Sequence, residues 1–147
     1  MAFSWEPFGP AHEAEPAPRA AARSLSSRPA RALAVLTCMD CRIDPLEALG
    51  LALGDAVIVR NAGAQASPDV VHSLRLAREK LGVAEVQVVG HTDCAAHGGD
   101  DAAAAAAARE AAGRIRSAVP GLRVEPALLD LRTGDVSRPG AARPPSG

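Results

Sequence analysis

Two short, mostly apolar runs, Ala32 to Leu36 and Val86 to Val89, each lead directly into a polar segment that carries cysteine. The segments are Thr37-Cys38-Met39-Asp40-Cys41-Arg42 and Gly90-His91-Thr92-Asp93-Cys94. Runs of this length bounded by polar residues read as buried strands, so each segment reads as the carboxyl end of one. Open parallel sheets gather their ligand sites at that edge. One thiolate from the first segment, with an imidazole and a thiolate three residues apart in the second, makes a Cys2His set. Zinc favours those ligands, and three of them leave one tetrahedral position open.

The 147 residues are enough for one domain with a real core. With 16 basic against 17 acidic residues the formal charge is -1, which gives no large field for nucleic acid or an anionic membrane. A small or neutral substrate suits that balance. Hydrophobic residues make up 48% and aromatics only 2%, namely Phe3, Trp5 and Phe8. The core must then be built from Ala, Val, Leu and Ile, as in parallel strands covered by helices. No run of eighteen apolar residues suggests a membrane span. The first thirty residues lack the pattern of a secretory signal, and three cysteines, an odd number, argue for reduced thiolates rather than a disulfide framework. A cytoplasmic location is the expectation.

Residues 1–30, rich in Pro and Ala, read as a mobile arm or one docked on a partner subunit through its aromatic cluster. Residues 31–136 read as a single zinc-binding α/β domain, and 137–147 as a disordered tail. Within the domain, Ala32 to Thr37 is the first strand. Asp44 and Pro45 open a short helix that Gly50 ends. Ala56 to Val59 is the second strand, and Arg60-Asn61-Ala62-Gly63 turns out of it. Ser67-Pro68-Asp69 starts the clearest helix, with Val70, Val71, Leu74, Leu76, Ala77 and Leu81 as its apolar face and Gly82 as its stop. Val83 to Val89 is the third strand. The alanine-rich run Asp100 to Val119 is a helix, and Leu122 to Leu131 a final strand kinked at Pro126. The alternation gives an α/β fold with a mainly parallel sheet flanked by helices.

Cys38-Met39-Asp40-x-Arg42, Gly54-Asp55 with Arg60-Asn61-Ala62-Gly63, and His91-Thr92-Asp93-Cys94 together resemble the beta-class carbonic anhydrases, most closely the small microbial type. Asp130 to Val136 is similar to that family's late strand and turn. The resemblance implies a four- or five-stranded sheet, a homodimer or higher oligomer, and reversible hydration of carbon dioxide to bicarbonate by zinc-bound hydroxide. It implies Cys38, His91 and Cys94 as zinc ligands. Asp40 either orients the bound water or swings in as a fourth ligand in a closed resting form, with Arg42 holding it. On an extended strand end both side chains of the Asp40-Arg42 catalytic pair would leave the same side. Gly63 and Gly90 would let backbone pass close to the substrate. His72 and His97 read as solvated or supporting histidines rather than proton shuttles, and Asp93 as a brace of its loop.

Three features depart from the family pattern. Cys41 stands where the family usually has a small residue, and the Cys38-x-x-Cys41 it creates would, opposite His91 and Cys94, make a closed Cys3His site without activity. Ala64 and Ala95 stand where glycine is common, so each adds a methyl, and strain if φ is positive there. The segment between Cys94 and the last strand is shorter than in most relatives. Two functions from different classes follow: an enzyme acting on carbon dioxide, or on carbonyl sulfide or carbon disulfide at the same site, and a non-catalytic structural zinc domain.

Overall fold

The structure is a computed structural model that describes residues 24–138. The expectations for the N-terminal arm up to residue 23 and for the tail from residue 139 lie outside those residues. The elements in order are β1 (Leu33–Cys38), α1 (Pro45–Leu49), β2 (Ala56–Asn61), α2 (Pro68–Leu81), β3 (Glu85–His91), α3 (Asp101–Ala118), β4 (Arg123–Leu129) and β5 (Val136–Ser137). The sheet order is β2-β1-β3-β4-β5. The β1–β2, β1–β3 and β3–β4 pairs are parallel, and β5 closes the edge antiparallel to β4. Strand order reverses between β1 and β3, which is where an open α/β sheet forms a crevice at its carboxyl edge.

All six residues of β1 are buried. Ala34 and Leu36 pack on one face of the sheet and Leu33 and Val35 on the other, the period of two of a strand covered on both sides. The first face meets α2 and α3. Helix α2 starts as its sequence dictates: the Ser67 side chain accepts from Val70 N, Pro68 occupies the first turn, and Gly82 at φ 73 closes it. Its buried residues are Val70, Leu74 and Ala77, whereas Leu76, expected on the apolar face, is 46% exposed. Leu76 lies two residues beyond Leu74, about 200° around the helix, and so points outward.

Helix α3 buries Ala104, Ala108, Ala111, Ala112 and Ile115. The methyl-only stripe lets the helix lie close to β3: a Cβ added to Gly90 would meet the Ala104 carbonyl at 3.2 Å and Ala108 Cβ at 3.5 Å. The close approach that Gly90 permits is therefore to α3. The second face carries Ile43, Val89 and Leu129, with Ala48 and Leu49 of α1 against them.

Strand β4 ends at Leu129, two residues before the expected Leu131, because Asp130 to Thr133 turn back. Gly134 N and the Asp130 carbonyl close that turn at 2.7 Å. Val136 and Ser137 then pair with Leu129 and Leu128, so Ser137, expected in the tail, belongs to the sheet. Pro126 pairs with Val88 on one side only, upstream of the β5 contact, a position where a missing N–H is tolerated. Among the described residues no helix is long and apolar enough to cross a membrane.

Ile115 is fully buried between α3 and the sheet. Ile115→Ala is expected to lower the unfolding free energy by about 2–5 kcal/mol, read by urea denaturation with the far-ultraviolet signal unchanged before the transition.

Candidate metal centre

Cys38 is the last residue of β1 and His91 the last of β3, and Cys94 follows in the loop that leaves β3. All three are buried, at 5%, 1% and 1% exposure, and their ligand atoms lie within 4.8 Å of one another. The two sulfurs are 3.9 Å apart. Two thiolates held about 2.3 Å from one tetrahedral zinc would lie about 3.8 Å apart.

His91 supplies the sharpest test of fit. Its Nδ1 faces the Thr92 carbonyl at 2.7 Å, which places the ring proton on Nδ1. Nε2 is then an acceptor, and it is buried without a hydrogen-bond partner. Leaving such a group bare costs about 1–3 kcal/mol, which a cation on its lone pair removes. Burial pushes the Cys94 thiol above its ordinary value. The neighbouring Cys38 adds to that rise, and the N–H groups of Ala96 and His97 offset part of it. A bound cation reverses that balance and favours the thiolate. The donors, their spacing and the bare nitrogen fit zinc.

Asp40 and Arg42 do form the expected pair, but not by strand alternation. The chain leaves β1 at Cys38 and turns, with Ile43 N bonded to the Asp40 carbonyl at 3.1 Å. Asp40 Oδ1 accepts from Arg42 N at 2.9 Å and Nε at 3.0 Å, and Oδ2 accepts from Nη2 at 2.7 Å. The turn, a side chain bonding its own backbone two residues on, sets the geometry. These bonds hold the Asp40 carboxyl well below the usual carboxylate range and raise the Arg42 guanidinium above its own. Asp40 Oδ2 lies 3.9 Å from His91 Nε2, beside the three-ligand group. Arg42 also bonds Asp93, so the pair is tied to the second motif.

Arg60 has a place that the sequence did not disclose. From the end of β2 its Nε donates to the Cys38 carbonyl at 2.9 Å and its Nη2 to the Asp40 carbonyl at 2.8 Å. It clamps both sides of Met39. Its register opposite Thr37 emerges only once β1 and β2 pair, so the sequence pattern alone carried no signal for it.

Gly63, at φ 78, donates its N–H to Cys38 Sγ at 3.3 Å, and His97 Nε2 meets the Gly63 carbonyl at 3.2 Å. A Cβ at Gly63 would sit 2.8 Å from that nitrogen, so the approach needs glycine. Asn61 closes the same loop by exchanging two bonds with the Gln65 backbone. Ala64 has φ 54 and is buried, so a methyl is indeed carried in left-handed backbone there, whereas Ala95 has no positive φ. Cys41 is exposed and stands outside the ligand group, and His72 is an exposed residue of α2.

Arg60→Ala is expected to weaken zinc binding by about tenfold to a hundredfold, measured by competition with a chelator. Arg60→Lys should recover only part of it, because one ammonium does not span two carbonyls as a guanidinium does.

Comparison with known proteins follows the same outline. The carbonic anhydrase family model matches residues 33–136. Beta-carbonic anhydrase 1 of Mycobacterium tuberculosis is 39% identical over 70 residues, which are 48% of this chain and 43% of the relative. Carbon disulfide hydrolase of Saccharolobus solfataricus is 45% identical over 64 residues, 44% of this chain and 31% of the relative. The chain thus matches less than half the length of these curated relatives. The crystal structure of carbonic anhydrase from Streptococcus mutans superposes with a TM-score of 0.71 at 31% identity, over 77% of this chain and 84% of that one. Carbonic anhydrase from Glaciozyma antarctica gives 0.72 at 26% identity, over 89% of this chain and 99% of that one. A match running from the first residue of β1 to the first residue of β5 takes in the sheet and the metal centre alike, and the chain belongs to the carbonic anhydrase family, in its beta class.

Proposed function

We propose that the protein is a zinc-dependent carbonic anhydrase that interconverts carbon dioxide and bicarbonate. The observation that carries this reading is the buried, partnerless His91 Nε2 between two thiols, with the Asp40-Arg42 pair alongside. Cys38, His91 and Cys94 would hold the metal. Zinc bound there supplies a Lewis acid that brings the pKa of a coordinated water toward neutrality.

The surrounding residues supply orientation. Asp40 stays ionised through the working range because Arg42 bonds both of its oxygens, so it is an acceptor only. Oδ1 takes two N–H groups, and Oδ2 takes one and keeps a lone pair. That lone pair would accept an O–H from a water held in the site and so orient its oxygen toward a substrate carbon. Gly63 N–H on Cys38 and the Ala96 and His97 N–H groups on Cys94 moderate the charge of the thiolates.

A second reading is hydrolysis of carbon disulfide or carbonyl sulfide, linear substrates open to the same attack. It is favoured by the relatives named carbon disulfide hydrolase, among them one from Acidithiobacillus thiooxidans that is 36% identical over 69% of this chain. The closed Cys3His alternative is disfavoured by the exposure of Cys41. On the second sheet face Ile58, Ala127 and Leu128 remain only partly buried, and crystal structures of tetrameric beta-carbonic anhydrases from Sordaria macrospora share the fold. We therefore also propose a homo-oligomer.

Stopped-flow hydration of carbon dioxide by zinc-loaded, reduced protein, from about pH 6.5 to 9, tests the first reading. Activity should rise with pH and vanish in Cys38→Ala. Full zinc occupancy with no hydration, but sulfide release from carbon disulfide, would shift the assignment to the second reading. Asp40→Asn should cut turnover by about tenfold to a hundredfold. Its pH midpoint should stay where it is, since the depressed Asp40 pKa places its own titration on the acid side of the whole range. Cys41→Ser should leave zinc content at one per chain; loss of the metal would revive the closed site.

A further inference from the structure

Arg42 is held from two sides. Asp40 takes its Nε and Nη2, while Nη1 donates to Asp93 Oδ2 at 3.1 Å and Nη2 also reaches the Asp93 carbonyl at 3.0 Å. Asp93 lies between the ligands His91 and Cys94, in left-handed backbone at φ 51. Such backbone strains a residue that carries a Cβ. Its N–H is anchored on Asp101 Oδ1 at 2.9 Å, in the first turn of α3. A continuous chain of bonds thus runs from α3 through Asp93 and Arg42 to Asp40.

We propose that Asp93 is a positioning residue that fixes Arg42 against the metal-binding loop and thereby keeps the Asp40 carboxylate beside the metal's open position rather than in it. This rests on reading the site as a zinc centre with one open position. Asp40 Oδ2 is 3.9 Å from His91 Nε2, and two ligands of one tetrahedral zinc at about 2.0–2.1 Å would be about 3.4 Å apart. A small swing would make Asp40 the fourth ligand.

The swing is opposed by its bonds to Arg42, and those oppose it only while the guanidinium stays put. The Arg42 side chain is 48% exposed, and a long side chain with one partner keeps much of its rotamer freedom. The second anchor removes that freedom. Because the Asp93 carboxylate is 76% exposed, its direct charge effect is screened, and its contribution is geometric. Because Asp93 lies within the four-residue segment from His91 to Cys94 that would supply two of the ligands, it sets Arg42, and through it Asp40, relative to the metal-binding group.

A double-mutant cycle on cobalt(II)-loaded protein tests this, with azide as the probe of the open position and the visible spectrum as the readout. Asp93→Ala is expected to weaken azide binding by about three- to tenfold, because the released Asp40 competes for the position. It should lower the hydration kcat by a similar factor with KM nearly unchanged. Asp93→Gly, which removes the carboxylate and relieves the backbone, should behave like the alanine variant. Asp93→Asn, which keeps an acceptor oxygen, should stay within about twofold of the parent. In the Asp40→Ala background, Asp93→Ala should change azide affinity by less than about twofold.

An equal loss in both backgrounds, or a loss of cobalt affinity with azide binding to the loaded protein unchanged, would make Asp93 a plain loop brace and overturn the proposal. Unchanged or tighter azide binding in Asp93→Ala would overturn it as well. Should the protein fail to hydrate carbon dioxide, the azide cycle still decides the role of Asp93, and only the functional reading falls.

Discussion

A buried imidazole nitrogen with no protein partner is the constraint on which the rest of this structure depends. His91 Nε2 can be left bare only if something outside the chain satisfies it, and two buried thiols point at the same space. Each nearby bond makes that arrangement rigid. The Thr92 carbonyl fixes the tautomer of His91, and Thr92 itself bonds Leu129 through its N–H and Leu131 through its hydroxyl. The metal loop is thus pinned to the end of β4. Arg60 pins the Cys38 loop to β2, and Arg42 joins the two loops. Four strands are recruited to hold three ligand atoms.

The packing beneath serves the same end. Thr37 is buried one residue before Cys38, and its hydroxyl bonds the Val89 carbonyl across the β1–β3 pair. That bond sits just below the crevice where the two ligand strands part. With so few aromatic residues, closeness has to come from small side chains, and the alanine stripe of α3 against Gly90 provides it. The helix whose sequence looks least informative is the one that lets β3 and the sheet sit close enough for a dry site.

Much of this was legible in the sequence because the signals were local. Strand cores, the caps at Asp44 and Ser67, the stops at Gly50 and Gly82 and the ligand spacing each follow from residues within a few positions of one another. What escaped notice depended on contacts far apart in the chain. The Arg60 clamp spans twenty-two residues and the Arg42–Asp93 tie fifty-one, and no periodicity encodes either. Leu76 faces solvent because hydrophobicity alone does not set a residue's angle around α2. β5 was signalled only through the resemblance at Asp130 to Val136, because its two residues pair only after a turn brings them back. The Asp40-Arg42 pair was found for a partly wrong reason, since a turn and not strand alternation joins them.

The opposite edge of the sheet is built on other terms. Where the chain enters β2, β3 and β4, the turns at Gly54, Gly82 and Gly121 are filled by Leu25, Arg28 and Arg78, flexible side chains lying against glycine. Every candidate ligand and its supports lie at the far pole. The molecule therefore separates its chemistry from its tolerance to insertion: grafted peptides or a chain reopened beside one of these lower turns meet yielding side chains about a strand's length away from the candidate ligands, while the glycines themselves, at φ 91, 73 and 92, are held by their backbone.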